Sequence, residues 1–289
     1  MRIELKKCSE VPETDIYEAF KRGYSDYPVP MTLSLEEFLG RFFGPEGNSR
    51  ESSFIAYDKE QPIGLVFGGM RTYDGRKTMR CGTLCAAPEY RGKGIASQLM
   101  ELHMEFARKE GCERLFLEVL KSNERAIRFY QRYGYEESTS LKYFSMMKET
   151  MKERQKNYGS VDDGVALAET SFEKICEFRN SLSDIHINWQ SELESFWNGD
   201  RHLFLLALID KKELGYIVMS PTGKIEQIYV TPENRNQGIG TKLIGAAADR
   251  QNVEKIMVCF PENDNLESYF NHMAFTKDAV EQYEMVLKL

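Results

Sequence analysis

Arg91-Gly92-Lys93-Gly94-Ile95-Ala96 and Arg235-Asn236-Gln237-Gly238-Ile239-Gly240 are two versions of one stretch, nearly half of the 289-residue chain apart. Each follows an apolar, strand-like run and a Pro-Glu turn, Pro88-Glu89 or Pro232-Glu233. Each also runs straight into a sequence with amphipathic helical spacing. A strand, a glycine-rich turn and a helix start together predict an anion site. N–H groups point into the turn, and the helix dipole adds positive partial charge. Glycine lets the backbone approach a phosphate without an intervening side chain. One such stretch says little. Two in matching contexts predict a duplicated phosphate-binding unit.

The rest of the chain repeats with the loops. In the first half a helix is predicted over residues 15–24, followed by the break Tyr27-Pro28-Val29-Pro30. A second helix opens at Ser34, which with Glu37 has capping-box spacing ahead of Phe38, Leu39 and Phe42. The second half predicts a helix over 172–181, then a capping box of Ser191 and Glu194 opening a helix that carries Phe196 and Trp197. Strands are predicted over 54–57, 63–70, 79–86 and 114–119, and again over 203–209, 214–219, 224–230 and 255–260. After the first loop, Ile95, Leu99, Leu102 and Phe106 fall at helical spacing up to a stop near Gly111; Ile239, Leu243 and Ala247 do so after the second. The polar stretch Lys148 to Gly164 reads as a linker, giving expected domains of 1–150 and 160–289.

Composition narrows the function. With 42% hydrophobic and 29% charged residues the chain is globular. No apolar run nears the ~20 residues of a membrane helix, and no signal-peptide core follows the first residues, so a cytoplasmic location and no membrane partner are expected. Net charge is −7, with 23 basic and 23 acidic residues in 1–150 against 15 and 22 in 151–289, which argues against nucleic acid. Cys8, Cys81, Cys85, Cys112, Cys176 and Cys259 form no CxxC pair and read as free thiols, and the four histidines form no metal pattern, so no metal is expected.

A second constellation follows the first loop: Leu117-Glu118-Val119, then Asn123, Ala126, Phe129-Tyr130 and Gly134-Tyr135. With Ala86-Ala87-Pro88 and the RGKGIA loop, this run resembles the GCN5-related N-acetyltransferase (GNAT) superfamily, locally its branch that acetylates protein N-termini. The resemblance is good over about residues 53–147, moderate over 203–289 and thin over both N-terminal helix pairs. It implies two tandem α/β (α+β) domains, each a mixed, mostly antiparallel twisted sheet flanked by helices. It also implies direct acetyl transfer from acetyl-CoA to a primary amine, which could be a small amine or a peptide or protein N-terminus.

The resemblance assigns roles residue by residue. The pyrophosphate would lie on Arg91, Gly92, Lys93, Gly94, Ile95 and Ala96, and the pantetheine arm along Leu84, Cys85 and Ala86. Asn123 would bridge to the arm or cap its helix, or do both. Tyr130 matches the acid that protonates the departing thiolate, and Glu118 the base. Tyr130 can also be read as a core aromatic, and Glu118 as a strand-end carboxylate with a water chain serving instead. A covalent route through Cys85 is the alternative to direct transfer. The second half keeps a CoA site at Val230, Arg235, Asn236, Gln237, Gly238, Ile239 and Gly240, but aligning Asn263 with Asn123 sets Phe270 at the Tyr130 position. Glu226 is left there as a possible base. Turnover is therefore expected in the first domain. The rival readings are catalysis in the second domain and a non-catalytic CoA-binding protein. Acceptor contacts are expected from Tyr24, Tyr27 and Phe43.

Overall fold

The computed structural model describes residues 3–27, 31–157, 164–182, 185–196 and 201–289. Its first half runs β1 (Ile3–Lys7), α1 (Glu13–Gly23), α2 (Leu35–Phe42), β2 (Ser49–Asp58), β3 (Gln61–Tyr73), β4 (Arg76–Ala86), α3 (Ile95–Lys109), β5 (Arg114–Leu120), α4 (Glu124–Arg132) and β6 (Glu136–Met147). After α5 (Lys148–Asn157) come β7 (Ala166–Glu169), α6 (Phe172–Asn180), β8 (Leu203–Ile209), β9 (Lys212–Met219), β10 (Lys224–Val230), α7 (Ile239–Arg250), β11 (Lys255–Pro261), α8 (Asp264–His272) and β12 (Thr276–Lys288). The predicted strands lie inside these spans, and the helices expected over 15–24 and 172–181 run one residue past α1 and α6; one expected helix does not form. Ser191 and Glu194 open no α-helix: Trp189–Ser191 and Leu193–Ser195 are two short 3₁₀ turns. Ser191 is buried and its hydroxyl is committed to Glu226, at 3.0 Å, so it caps nothing. Trp197 and Pro28 to Pro30 lie outside the described residues.

Contacts divide the chain into two units, Met1–Ser138 with Tyr283–Leu289, and Thr139–Gln282. This corrects the expected boundaries, 1–150 and 160–289. Strand β6 does not stay with the half that encodes it. It pairs antiparallel with β11, from Lys255↔Met147 to Pro261↔Leu141. Residues 283–289 go the other way, burying Met285 in the core of the first unit and bonding Leu289 N to Glu113 O at 3.0 Å. The expected linker is corrected too: its first ten residues are α5, and Met151 packs into the second unit's core. Tyr158 to Ser160 lie outside the described residues.

In the first unit β1, β2, β3 and β4 follow one another antiparallel, and β5 joins β4 in parallel. Strand β3 is buried almost continuously because both its faces are covered. On one face α1 and α2 bring Ile16, Phe20, Phe38 and Phe42 onto Ile55, Leu65 and Phe67. On the other, α3 and α4 bring Ile95, Leu99, Met100 and Ile127 onto Val66, Met79, Leu115 and Leu117. The Ser34–Glu37 capping box forms as spaced: Ser34 N donates to Glu37 Oε2 at 2.7 Å and Glu37 N to Ser34 Oγ at 3.2 Å. The second unit orders its strands β6-β11-β10-β9-β8-β7, antiparallel except where β10 meets β11. All six cysteines are free, and all but Cys176 are buried. Among the described residues no helix is long and apolar enough to cross a membrane.

One core residue carries a pH dependence. His103, on α3, is fully buried, and neither ring nitrogen finds a hydrogen-bond partner. Burial pushes its pKa down to about 3. The unfolded chain therefore binds a proton that the fold refuses between pH ~6.5 and 3. Stability is kept above that window and lost as pH falls through it, at up to about 1.4 kcal/mol per pH unit. His103→Leu is expected to flatten the urea midpoint between pH 6.5 and 4. An unchanged slope in that variant would assign the acid sensitivity to other groups.

Candidate active site

Both glycine-rich loops adopt the backbone that anion binding requires. Gly92 (φ 75°) and Gly94 (φ 84°) are left-handed, and so are Asn236 (φ 62°) and Gly238 (φ 80°). Asparagine is among the few side chains that tolerate this region, which explains its place opposite Gly92. Gly94 and Gly238 are the N-caps of α3 and α7, and neither helix start receives a side-chain cap. A Cβ added at Gly92 or Gly238 would meet nothing within 4 Å. The turns are open, and their first-turn N–H groups face outward. Ile95 is buried, while Lys93 lies exposed with Nζ 5.0 Å from the Tyr90 ring centre.

Arg91 takes a role the sequence did not indicate. It grips Asp26 with both terminal nitrogens, at 2.6 and 2.7 Å, and donates to the Ala86 and Gly23 carbonyls at 3.1 and 3.0 Å. Its guanidinium ties the end of β4 to the end of α1. Of the loop's two cations, Arg91 is committed within the fold and Lys93 is the exposed one.

Beside the loop the sheet opens. Strands β4 and β5 pair only at Thr78↔Arg114, Met79↔Leu115 and Arg80↔Phe116, although β4 continues to Ala86 and β5 to Leu120. Leu84, Cys85 and Ala86 remain paired with Val66, Leu65 and Gly64 of β3. A register shift in β4 against β3, between Thr83 and Cys81, places a bulge at Gly82 where the strands part. Around this bulge stand the titratable groups. Tyr130 is buried on α4 with the Cys81 thiol beside its phenol; burial first, and then Cys81, hold that phenol well above the ordinary range. Tyr24 stands at the end of α1, and burial raises its phenol as well. Asn123 N-caps α4, its Oδ1 accepting from Ala126 N at 3.2 Å.

Glu118 does not point to solvent. Its side chain is 2% exposed, and Oε2 accepts from Arg80 Nη2 at 2.6 Å and Nε at 3.0 Å. Arg80 in turn reaches the Glu46 carbonyl at 3.3 Å. Cys85 packs its sulfur against α1, where a Cβ at Gly23 would lie 2.3 Å away, and burial raises its thiol to about 12. A thiol so buried and so weakly acidic makes a poor nucleophile. Tyr24 and Tyr27 stack edge to face at 5.0 Å, and Phe43 packs on Phe67 at 5.1 Å, so both expected acceptor elements lie on the α1–α2 face.

The GNAT acetyltransferase family matches residues 14–135, and a GNAT acetyltransferase domain matches residues 200–277. N-alpha-acetyltransferase MAK3 of Arabidopsis thaliana is 32% identical over 156 residues, covering 50% of this chain and 78% of that protein. The chain is a tandem member of the GNAT family. N-alpha-acetyltransferase 30 of Schizosaccharomyces pombe is 34% identical over 87 residues, which span 29% of this chain and 57% of that relative. A solved tandem GNAT protein from the clavulanic acid biosynthesis pathway shares the fold, with TM-score 0.70 at 15% identity over 99% of this chain and 98% of its own.

The second half of this tandem GNAT protein keeps the loop but rebuilds what surrounds it. Strand β10 pairs with β11 only at Lys224↔Met257 and Ile225↔Val258, so the same parting of strands recurs toward Val230. Arg235 donates to the Val230 carbonyl at 3.0 Å, as Arg91 does to Ala86. Phe270 is fully buried, stacked on Phe260 at 5.4 Å. A Cβ at Gly240 would meet the Tyr269 hydroxyl at 2.8 Å, so that phenol lies against the start of α7. Glu226 is spent on Lys224 Nζ at 2.5 Å and Ser191 Oγ at 3.0 Å. Burial favours its protonation, but His202 and Lys224 outweigh it and hold the carboxyl below its usual range. That makes Glu226 a weaker base than an ordinary carboxylate.

Sequence reasoning missed Arg80, Asn48 and Cys81. Arg80 had a signal: a cation alternating into a strand otherwise buried from Thr78 to Cys81. Asn48, in a loop, had none.

Proposed function

We propose that the first unit transfers acetyl from acetyl-CoA directly to a primary amine. The observation that carries this reading is the buried Tyr130 phenol at Cys81, beside the unpaired edge of β4 and next to an open glycine-rich turn. The residues suit the co-substrate. The N–H groups at the start of α3, with Lys93, would hold the pyrophosphate, and the free edge from Gly82 to Ala86 would take the peptide-like arm. A backbone N–H on that edge would meet the charge developing on the acyl oxygen. The thioester supplies the activated acetyl group. As the new C–N bond forms and the C–S bond breaks, Tyr130 gives its proton to the departing sulfur, and Glu118, directly or through water, accepts the proton the nitrogen loses. A phenol raised by burial keeps its proton at working pH, as an acid must. The two N-alpha-acetyltransferase relatives support protein N-termini as acceptors, and small amines fit the same chemistry.

The second unit, with Phe270 in its core and Tyr269 at its loop, is read as able to bind CoA but not to turn it over. The test is a thiol-release screen over amines, amino acids, aminoglycosides and peptides. Saturating CoA is expected to stabilise the protein by ~2–4 kcal/mol, read as a rise in Tm. Gly94→Glu puts a carboxylate and a strained left-handed backbone where phosphate binds. It is expected to weaken CoA binding at least about a hundredfold in calorimetry. Wild-type affinity in that variant would move the CoA site away from the first loop.

A further inference from the structure

Two acceptor oxygens are buried in the first unit with no hydrogen from the protein: Asn48 Oδ1 and Glu118 Oε1. Both side chains are at least nine-tenths buried, Asn48 being 5% exposed and the Glu118 side chain 2%. The orientation of the Asn48 amide is fixed, because its Nδ2 donates to the Phe42 carbonyl at 2.8 Å. Its Oδ1 is thereby aimed at Gly82, where a Cβ would lie only 2.1 Å away. Gly82 and Glu118 are each two residues past the last β4–β5 pair, Arg80↔Phe116, where the strands separate. Arg80 joins the two sides: it saturates Oε2 of Glu118 and holds the Glu46 carbonyl two residues from Asn48. Every donor Arg80 offers Glu118 goes to Oε2, which leaves Oε1 over.

A buried acceptor without a donor costs about 1–3 kcal/mol, so two of them, one against Gly82 and the other on β5 just past its last pair with β4, call for a ligand that brings donors. A neutral primary amine brings two N–H groups and one lone pair. The geometry points to Asn48 Oδ1 and Glu118 Oε1 as the seat of the acceptor nitrogen, each taking one N–H and leaving the lone pair free to attack the acetyl carbon. The protein thus selects primary over secondary amines at the head group, whatever the rest of the acceptor is. Gly82 is glycine because a side chain there would occupy the space Oδ1 reaches into. This inference rests on the reading of the first unit as the transferring one.

Methylamine and dimethylamine isolate the head group. The full chain is supplied with saturating acetyl-CoA, and N-methylacetamide and N,N-dimethylacetamide are measured by mass spectrometry, with CoA affinity followed by calorimetry. Wild type is expected to prefer methylamine at least about tenfold. In Asn48→Ala the methylamine rate falls about tenfold or more, the dimethylamine rate holds, and the preference approaches unity, with CoA affinity unchanged. If both rates fall together, or neither moves, Asn48 does not read the amine and the inference is overturned. Should Asn48→Ala fail to fold for want of its bond to Phe42, the wild-type comparison decides alone: equal rates on the two amines overturn the inference. Wild type that binds CoA yet acetylates neither these amines nor any member of the acceptor screen would overturn the proposed function itself, before any variant is made.

Discussion

Tyr130→Phe will lower acetyl transfer about 10²–10⁴-fold while leaving the affinity for acetyl-CoA unchanged. The substitution removes one hydroxyl from a ring packed edge to face on Phe129 and Tyr135, at 5.5 and 5.7 Å, and neither contact depends on that hydroxyl. What disappears is the proton for the departing sulfur. The loop and the open edge of β4 are untouched, so binding should persist. Single-turnover rates and calorimetric Kd values separate the two effects. The informative partner is Gly238→Glu, which disables the second loop. If Gly238→Glu is inactive and Tyr130→Phe is not, turnover belongs to the second unit.

Arg80→Met is expected to destabilise the first unit by about 3–5 kcal/mol. Arg80 is buried, as is its partner Glu118, and removing the cation leaves a carboxylate in the interior with no counter-charge. Hydrogen exchange at β4 and β5 amides reads this loss in the first unit by itself. The double variant Arg80→Met/Glu118→Leu should recover most of it, since both charges of that pair are gone and Glu46, which Arg80 also meets at 3.6 Å, keeps Arg41 at 3.1 Å. A cost under about 1 kcal/mol in the single variant would mean that the pair is far better solvated than its burial implies.

What could be read in the sequence was what short-range chemistry decides. Gly94 and Gly238 announce left-handed caps, Ser34 and Glu37 a capping box, and Asn123 a helix start, because each outcome depends on a few neighbouring residues. Ser191 shows the limit of that logic. Its spacing to Glu194 satisfies the same rule, but Glu226, brought in by a distant strand, claims the hydroxyl first. The phenol of Tyr130 was legible through a motif. Asn48 was not, and Arg80 was legible only as a cation within an apolar strand, because their importance arises only once a loop and two strands come together in the fold.

The exchange of strands between the units has a consequence for how the protein is made. β6 is synthesised with the first half but pairs in the second unit, and Met285 reaches the first core only after the whole second half has been translated. Neither half of the chain contains a complete unit, so cutting it between the sequence repeats would yield two fragments each lacking a strand. During synthesis the first unit must wait, its core lacking Met285, for the segment 283–289. Duplication here has produced two interdependent units, in which a lesion near the end of the chain is felt first in the fold that was translated earliest.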